Sequence, residues 1–85
     1  MANDTEKEIE RLRWQCRRGM LELDLLLNQF LETAYAGLTS QQRIDFVRML
    51  GYQDQIIDDW LMGQAVPADP SVRDLVARIQ AAMQP

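Results

Sequence analysis

Between Leu23 and Ala34 the apolar residues Leu23, Leu26, Leu27, Phe30, Leu31 and Ala34 follow the i, i+3, i+4, i+7, i+8, i+11 spacing of one helical face without a miss. A half-buried strand would place an apolar residue at every second position, and no segment of the chain stands out with that alternation. The spacing therefore predicts a central helix and an all-α fold around it. Gly37 is well placed to end this helix.

The flanking elements follow from the same local rules. Thr5 with Glu8 three residues later reads as a capping box, and Ile9, Leu12 and Cys16 mark the stripe of a first helix ending near Arg17 or Arg18. Trp14 lies off that stripe. Thr39 with Gln42 makes a second capping box, opening a helix that would bury Phe46, Val47 and Leu50 and stop at Gly51. Residues 54–62 carry Ile56, Ile57, Trp60 and Leu61, with Gly63 as a stop and residues 64–68 as a short linker. Asp69 is an N-cap before Pro70, and Val72, Leu75, Val76, Ile79 and Met83 form the face of a last helix. Helices of about three turns do not stand alone in water, so five of them joined by short turns predict a small bundle with antiparallel neighbours. At 85 residues there is room for one core, and residues 1–85 are expected to form a single domain.

Charge narrows the class of partner. The net charge is −4, yet residues 1–20 carry +1 and the remaining 65 carry −5, which leaves a local basic patch on an acidic body. Such a pattern suits a defined protein partner better than a nucleic acid, which selects clustered Lys and Arg. With one cysteine no internal disulfide is possible. The N-terminus has no signal-peptide run and no stretch of 18 apolar residues occurs, so the chain is expected to be cytoplasmic and not inserted in a membrane.

The chemical inventory argues against catalysis. The chain has no histidine and no glycine-rich phosphate loop, which removes the usual metal sites, the Ser-His and Cys-His nucleophile systems and the dinucleotide fingerprint. Asp58 with Asp59, and Glu22 with Asp24, point in different directions on a helix and do not make an acid and base pair. Cys16 beside Arg17 and Arg18 reads either as an acidified thiol or as a small core residue. Trp60 reads either as core or as part of a contact surface.

Residues 17–24 hold two arginines, a glycine and two carboxylates, more polar function than folding requires. A helix entered near Gly19 would put Arg18 and Glu22 on one face, with Leu23 and Leu27 turned to the core. Two readings stand side by side here. Glu22 serves the helix dipole and a capping position while Gly19 ends the first helix, or the group faces a partner.

The run from Arg11 to Asp24, with its Trp14-Gln15-Cys16-Arg17-Arg18-Gly19-Met20 centre, resembles the signature of the succinate dehydrogenase assembly factor family. The core pattern of that family, Arg-Gly-x-x-Glu, is matched by Arg18, Gly19 and Glu22. The likeness continues through Phe30-Leu31-Glu32, Asp59-Trp60-Leu61-Met62 and Pro67-Ala68-Asp69 and so covers nearly the whole chain.

The resemblance implies a chaperone-like FAD assembly factor rather than an enzyme. It would bind the flavoprotein subunit of succinate dehydrogenase, and of fumarate reductase where present, and promote covalent flavinylation of a histidine on that partner. The FAD would be handled on the partner, with no cofactor held stably by this chain, which is expected to be a monomer. Carried over by position, Arg18, Gly19 and Glu22 are the expected contacts, with Arg17 and Asp24 beside them and Arg11, Trp14 and Trp60 as further candidates. Members of the family are also described as antitoxins of toxin and antitoxin pairs, which is the alternative the resemblance carries.

Overall fold

The computed structural model describes residues 4–83, and among them every regular element is helical. The elements are α1 (Asp4–Gln15), α2 (Leu21–Ala34), a 3₁₀ turn (Tyr35–Gly37), α3 (Ser40–Leu50), α4 (Asp54–Leu61) and α5 (Pro70–Met83). They divide between two compact units, Met1–Leu38 and Thr39–Pro85.

In the first unit α1 packs on α2. The Tyr35 hydroxyl, just past the end of α2, donates to Glu8 near the start of α1, while the turn after α1 bonds Asp24 near the start of α2. The two helices are therefore antiparallel. Leu12, Cys16, Leu23, Leu27, Phe30, Leu31, Tyr35 and Leu38 are buried, which includes four of the six positions of the α2 stripe, and Leu26 and Ala34 are half-buried. Arg13 and Glu32 close an exposed ion pair at 3.1 Å, a contact of the kind worth about 1 kcal/mol or less.

Three local expectations are corrected here. Thr5 lies inside the first turn of α1 rather than capping it, because the helix already runs through Asp4; Asp4 and Glu6 in that turn complement the positive end of the helix dipole. The helix also ends at Gln15, short of Arg17. Gly37 does not close α2 in a left-handed conformation. The helix tightens into the 3₁₀ turn instead, and the Leu38 N–H bonds the Tyr35 carbonyl at 3.0 Å.

In the second unit α3 and α4 both pack on α5. The Thr39 capping box is complete: the Gln42 N–H donates to Thr39 Oγ1 at 3.1 Å and the Thr39 N–H to Gln42 Oε1 at 2.9 Å. Phe46 and Leu50 are buried as expected, but Val47 is 42% exposed and the inward arc is completed by Asp45 and Met49. Asp45 is tolerated there because its carboxylate accepts from Gln41 Nε2 and Arg48 Nη1, each at 3.2 Å. Arg48 reaches on to Asp69, which caps α5 by accepting the Ser71 N–H at 2.8 Å. The Arg48 guanidinium holds the Asp69 carboxyl below the usual carboxylate range.

The end of α4 is closed from two directions. Gly63 at φ +79° lets the Gln64 N–H return to the Asp59 carbonyl at 2.8 Å and the Gly63 N–H to the Trp60 carbonyl at 3.2 Å, the Schellman arrangement. Gln80 of α5 adds a donor to the Trp60 carbonyl at 2.9 Å. Ile57, Trp60 and Leu61 are buried, whereas Ile56 faces outward.

Replacing Thr39 by Ala removes one acceptor of the capping box and should lower unfolding stability by about 1 kcal/mol, with Thr39→Ser retaining most of it. Urea denaturation followed by circular dichroism measures both.

Candidate functional site

The polar segment of residues 17–24 forms the turn between α1 and α2. At its first end the Cys16 and Arg17 amides still bond back to the Leu12 and Trp14 carbonyls, at 3.0 and 3.2 Å. Arg18 Nη1 donates to the Gln15 carbonyl at 3.0 Å, a cation placed at the negative end of α1. At the other end α2 begins after an extended Met20 that makes no side-chain cap bond. Asp24, in the first turn of α2, reaches back instead to the residues before the helix. Its Oδ1 accepts the Arg18 N–H at 2.7 Å and its Oδ2 accepts the Gly19 N–H at 3.2 Å. Both carboxylate oxygens are thus spent on the two successive amides of the Arg-Gly pair.

Gly19 sits at φ +82° in this bracket, in the region that L side chains avoid. A Cβ built on it would meet no atom within 4 Å. The position therefore needs glycine for its backbone angle and presents open space where a side chain would stand.

This geometry changes the expected arrangement. Arg18 lies outside any helix, so Arg18 and Glu22 do not share a helical face. Glu22 does not cap α2; it is exposed and makes no hydrogen bond or ion pair with another described residue. The acid that orders the turn is Asp24, whose five- and six-residue reach back to Gly19 and Arg18 belongs to neither a capping box nor a helical i, i+4 pair. The one local signal for it is an Asp in the first turn of a helix whose N-cap, Met20, has no polar side chain.

Arg11 and Trp14 stand exposed one turn apart on α1, and the Arg17 guanidinium lies 5.4 Å from the centre of the Trp14 ring. Seven of the eight candidate residues therefore lie in the first unit. Trp60 lies in the second, 7% exposed, edge-on to Tyr52 with ring centroids 4.8 Å apart.

Sequence reasoning passed over Leu21 and Leu25, which are 76% and 62% exposed on the outer face of α2. Beside them Glu10, Arg13, Trp14, Arg17, Leu25 and Asn28 line a groove of about 610 Å³. The signal was present in the sequence, since Leu21 and Leu25 fall off the buried arc of Leu23, Leu27, Phe30 and Leu31.

Cys16 is fully buried directly before the polar turn. Burial pushes its thiol from about 9 up to about 11; the Arg18 charge pulls it down and Asp24 raises it further, and burial dominates. The core reading of Cys16 is the one the structure shows.

Fold and composition together define a small all-helical protein without histidines, phosphate loop or, among the described residues, any helix long and apolar enough to cross a membrane. The chain belongs to the Sdh5 family, described as flavinator of succinate dehydrogenase, which matches residues 10–83. It is similar to the FAD assembly factor SdhE of Pseudomonas aeruginosa, 40% identical over 85 residues that span all of this chain and 99% of the relative. The SdhE proteins of Shewanella oneidensis and Coxiella burnetii are each 38% identical, covering 91% and 84% of this chain and 94% and 87% of their own lengths.

Asp24→Ala should leave the Arg18 and Gly19 amides without their acceptor, costing about 1–2 kcal/mol and speeding their hydrogen exchange about tenfold or more, while Asp24→Asn keeps one of the two bonds. Amide exchange followed by NMR reads the effect residue by residue. Cys16 gives a pH dependence of defined sign. Below about pH 9 folded and unfolded chains both keep the thiol proton; between about 9 and 11 only the folded chain keeps it. Stability should therefore fall as pH rises through that window, and a Cys16→Ala variant should lack this component in urea titrations at each pH.

Proposed function

We propose that this chain promotes covalent attachment of FAD to the flavoprotein subunit of succinate dehydrogenase, and of fumarate reductase where present, by docking on that subunit through the Arg18-Gly19 turn and Glu22. It acts as a cytoplasmic monomer, as a helper rather than an enzyme, and it holds no cofactor stably itself. The observation that carries this reading is the division of labour in the turn: Asp24 spends both oxygens on internal amides, which leaves Glu22 exposed and an open space over Gly19. Family membership and the full-length relatives support it.

With no histidine, the chain does not itself provide the residue that becomes flavinylated. Its contribution to rate is positioning and electrostatics, supplied by a rigid surface that holds the immature flavoprotein and its flavin in a reactive arrangement. A carboxylate, a guanidinium and a bare backbone provide a charge-assisted acceptor, a forked donor and a close approach for the partner's main chain. Arg17, Arg11 and Trp14 extend that surface along α1. Trp60 contributes through packing in the second unit.

In-gel flavin fluorescence of the denatured dehydrogenase flavoprotein, in cells with and without this protein, tests the proposal. Covalent flavin should fall severalfold in its absence. Gly19→Arg should lose about 1–2 kcal/mol for the positive φ and stay folded, yet fail to restore flavinylation, as should Glu22→Ala. Unchanged covalent flavin in cells lacking the protein would overturn the proposal.

A further inference from the structure

The outer face of the α1 and α2 pair carries more than the Arg-Gly turn accounts for. Trp14, Leu21 and Leu25 are exposed apolar residues, and Trp14 and Leu25 line the groove of about 610 Å³, within the range of about 300–1,000 Å³ seen for clefts that take up ligands. A second groove of about 400 Å³, lined by Glu6, Ile9, Glu10, Arg13 and Glu32, shares Glu10 and Arg13 with the first. The two together follow α1 from Arg17 back to Glu6.

The charges along this path are not uniform. Arg13 in the middle is paired with Glu32 and is neutralised locally. Arg17 at one end stacks on Trp14 and has no carboxylate partner among the described residues. Glu10 and Glu6 toward the other end likewise make no ion pair with another described residue. Arg17 and Glu10 are seven residues apart on or just past one helix, about 10 Å along its axis. The face therefore reads cation, apolar centre, anion, in a fixed direction.

We infer that this face is a docking groove for one amphipathic segment of the flavoprotein, lying with a carboxylate against Arg17, apolar side chains over Trp14 and Leu25, and a cationic or hydrogen-bond-donating side chain against Glu10 and Glu6. The inference rests on the proposed function and deepens it, by adding a directional anchor beside the Arg18-Gly19-Glu22 contacts. A free nucleotide would leave the Glu10 and Glu6 end facing phosphate or ring with no complementary charge. The apolar centre supplies affinity, and the opposed charges set the orientation and exclude segments running the other way.

The test is calorimetric titration of the purified apo-flavoprotein subunit of succinate dehydrogenase into the full chain, at low and at physiological salt. Leu25→Ser, Arg17→Glu and Glu10→Arg each alter an exposed side chain, and Ile44→Ser, which alters an exposed residue of the second unit, is the control; circular dichroism checks that all four remain folded. The expected result is a loss of binding of about tenfold or more for each groove variant, no change for Ile44→Ser, and weaker wild-type binding at the higher salt. Wild-type binding with all three groove variants within about twofold of it overturns this inference and leaves the proposed function standing. Failure of the wild type to bind, together with unchanged cellular flavinylation, overturns both. Titration with FAD alone that saturably quenches tryptophan emission, with the quenching abolished by Arg17→Glu, would assign the groove to a nucleotide. Dimerisation of the chain that is abolished by Leu25→Ser would assign it to a second copy. Either overturns the inference.

Discussion

Helices of 8 to 14 residues do not hold themselves together in water, so each element of this chain is secured by what it buries and by how its ends are tied. The burden is unequal. α2 buries Leu23, Leu27, Phe30 and Leu31, while α1 buries Leu12 alone among its residues. A helix with so thin an apolar face depends on its tethers, and α1 has them at both ends: Glu8 to the Tyr35 hydroxyl at one, Arg18 to the Gln15 carbonyl and the Asp24 bracket at the other. The polar turn is thus first a structural device.

That structural role does not engage every polar group of the turn. Of the two acids in the first turn of α2, one is consumed by backbone amides and the other is not. The same partition appears among the arginines, since Arg18 closes the end of α1 and Arg17 lies over Trp14 in solvent. A contact surface built on ordered backbone loses less conformational entropy on binding than a mobile loop would. The Sdh5 family to which the chain belongs acts in flavinylation, and the chain itself contains no histidine.

Much of the fold could be read from short-range pattern. The Thr39 and Gln42 box, the Asp69 cap before Pro70 and the Gly63 stop each involve groups within a few residues of one another, and each is present as expected. Thr5 with Glu8 matched the same box pattern and failed, because a capping motif specifies an end only if no further turn forms before it, and α1 already includes Asp4. Val47 failed for a different reason. Hydrophobicity favoured burying it, but the rotation of α3 that buries Phe46 and Met49 brings Asp45 inward, where two side-chain donors satisfy its carboxylate. The resemblance to a known family singled out residues 17–24 for the proposed contact, and the residue pattern alone left capping and partner contact unresolved for Glu22.

The sequence by itself determined the helical class, the number and approximate limits of the helices, the absence of catalytic histidine chemistry and the segment of residues 17–24 as the place of interest. These follow from periodicity, caps and inventory, which act over one or two turns and need no knowledge of the folded chain. Tertiary structure decided which acid orders the turn, that Arg18 leaves the helix, that Cys16 is sealed with a raised pKa, and that Leu21, Leu25 and Trp14 remain outside. Such outcomes depend on packing α1 against α2, which brings groups as far apart as Glu8 and Tyr35, 27 residues along the chain, into one hydrogen bond.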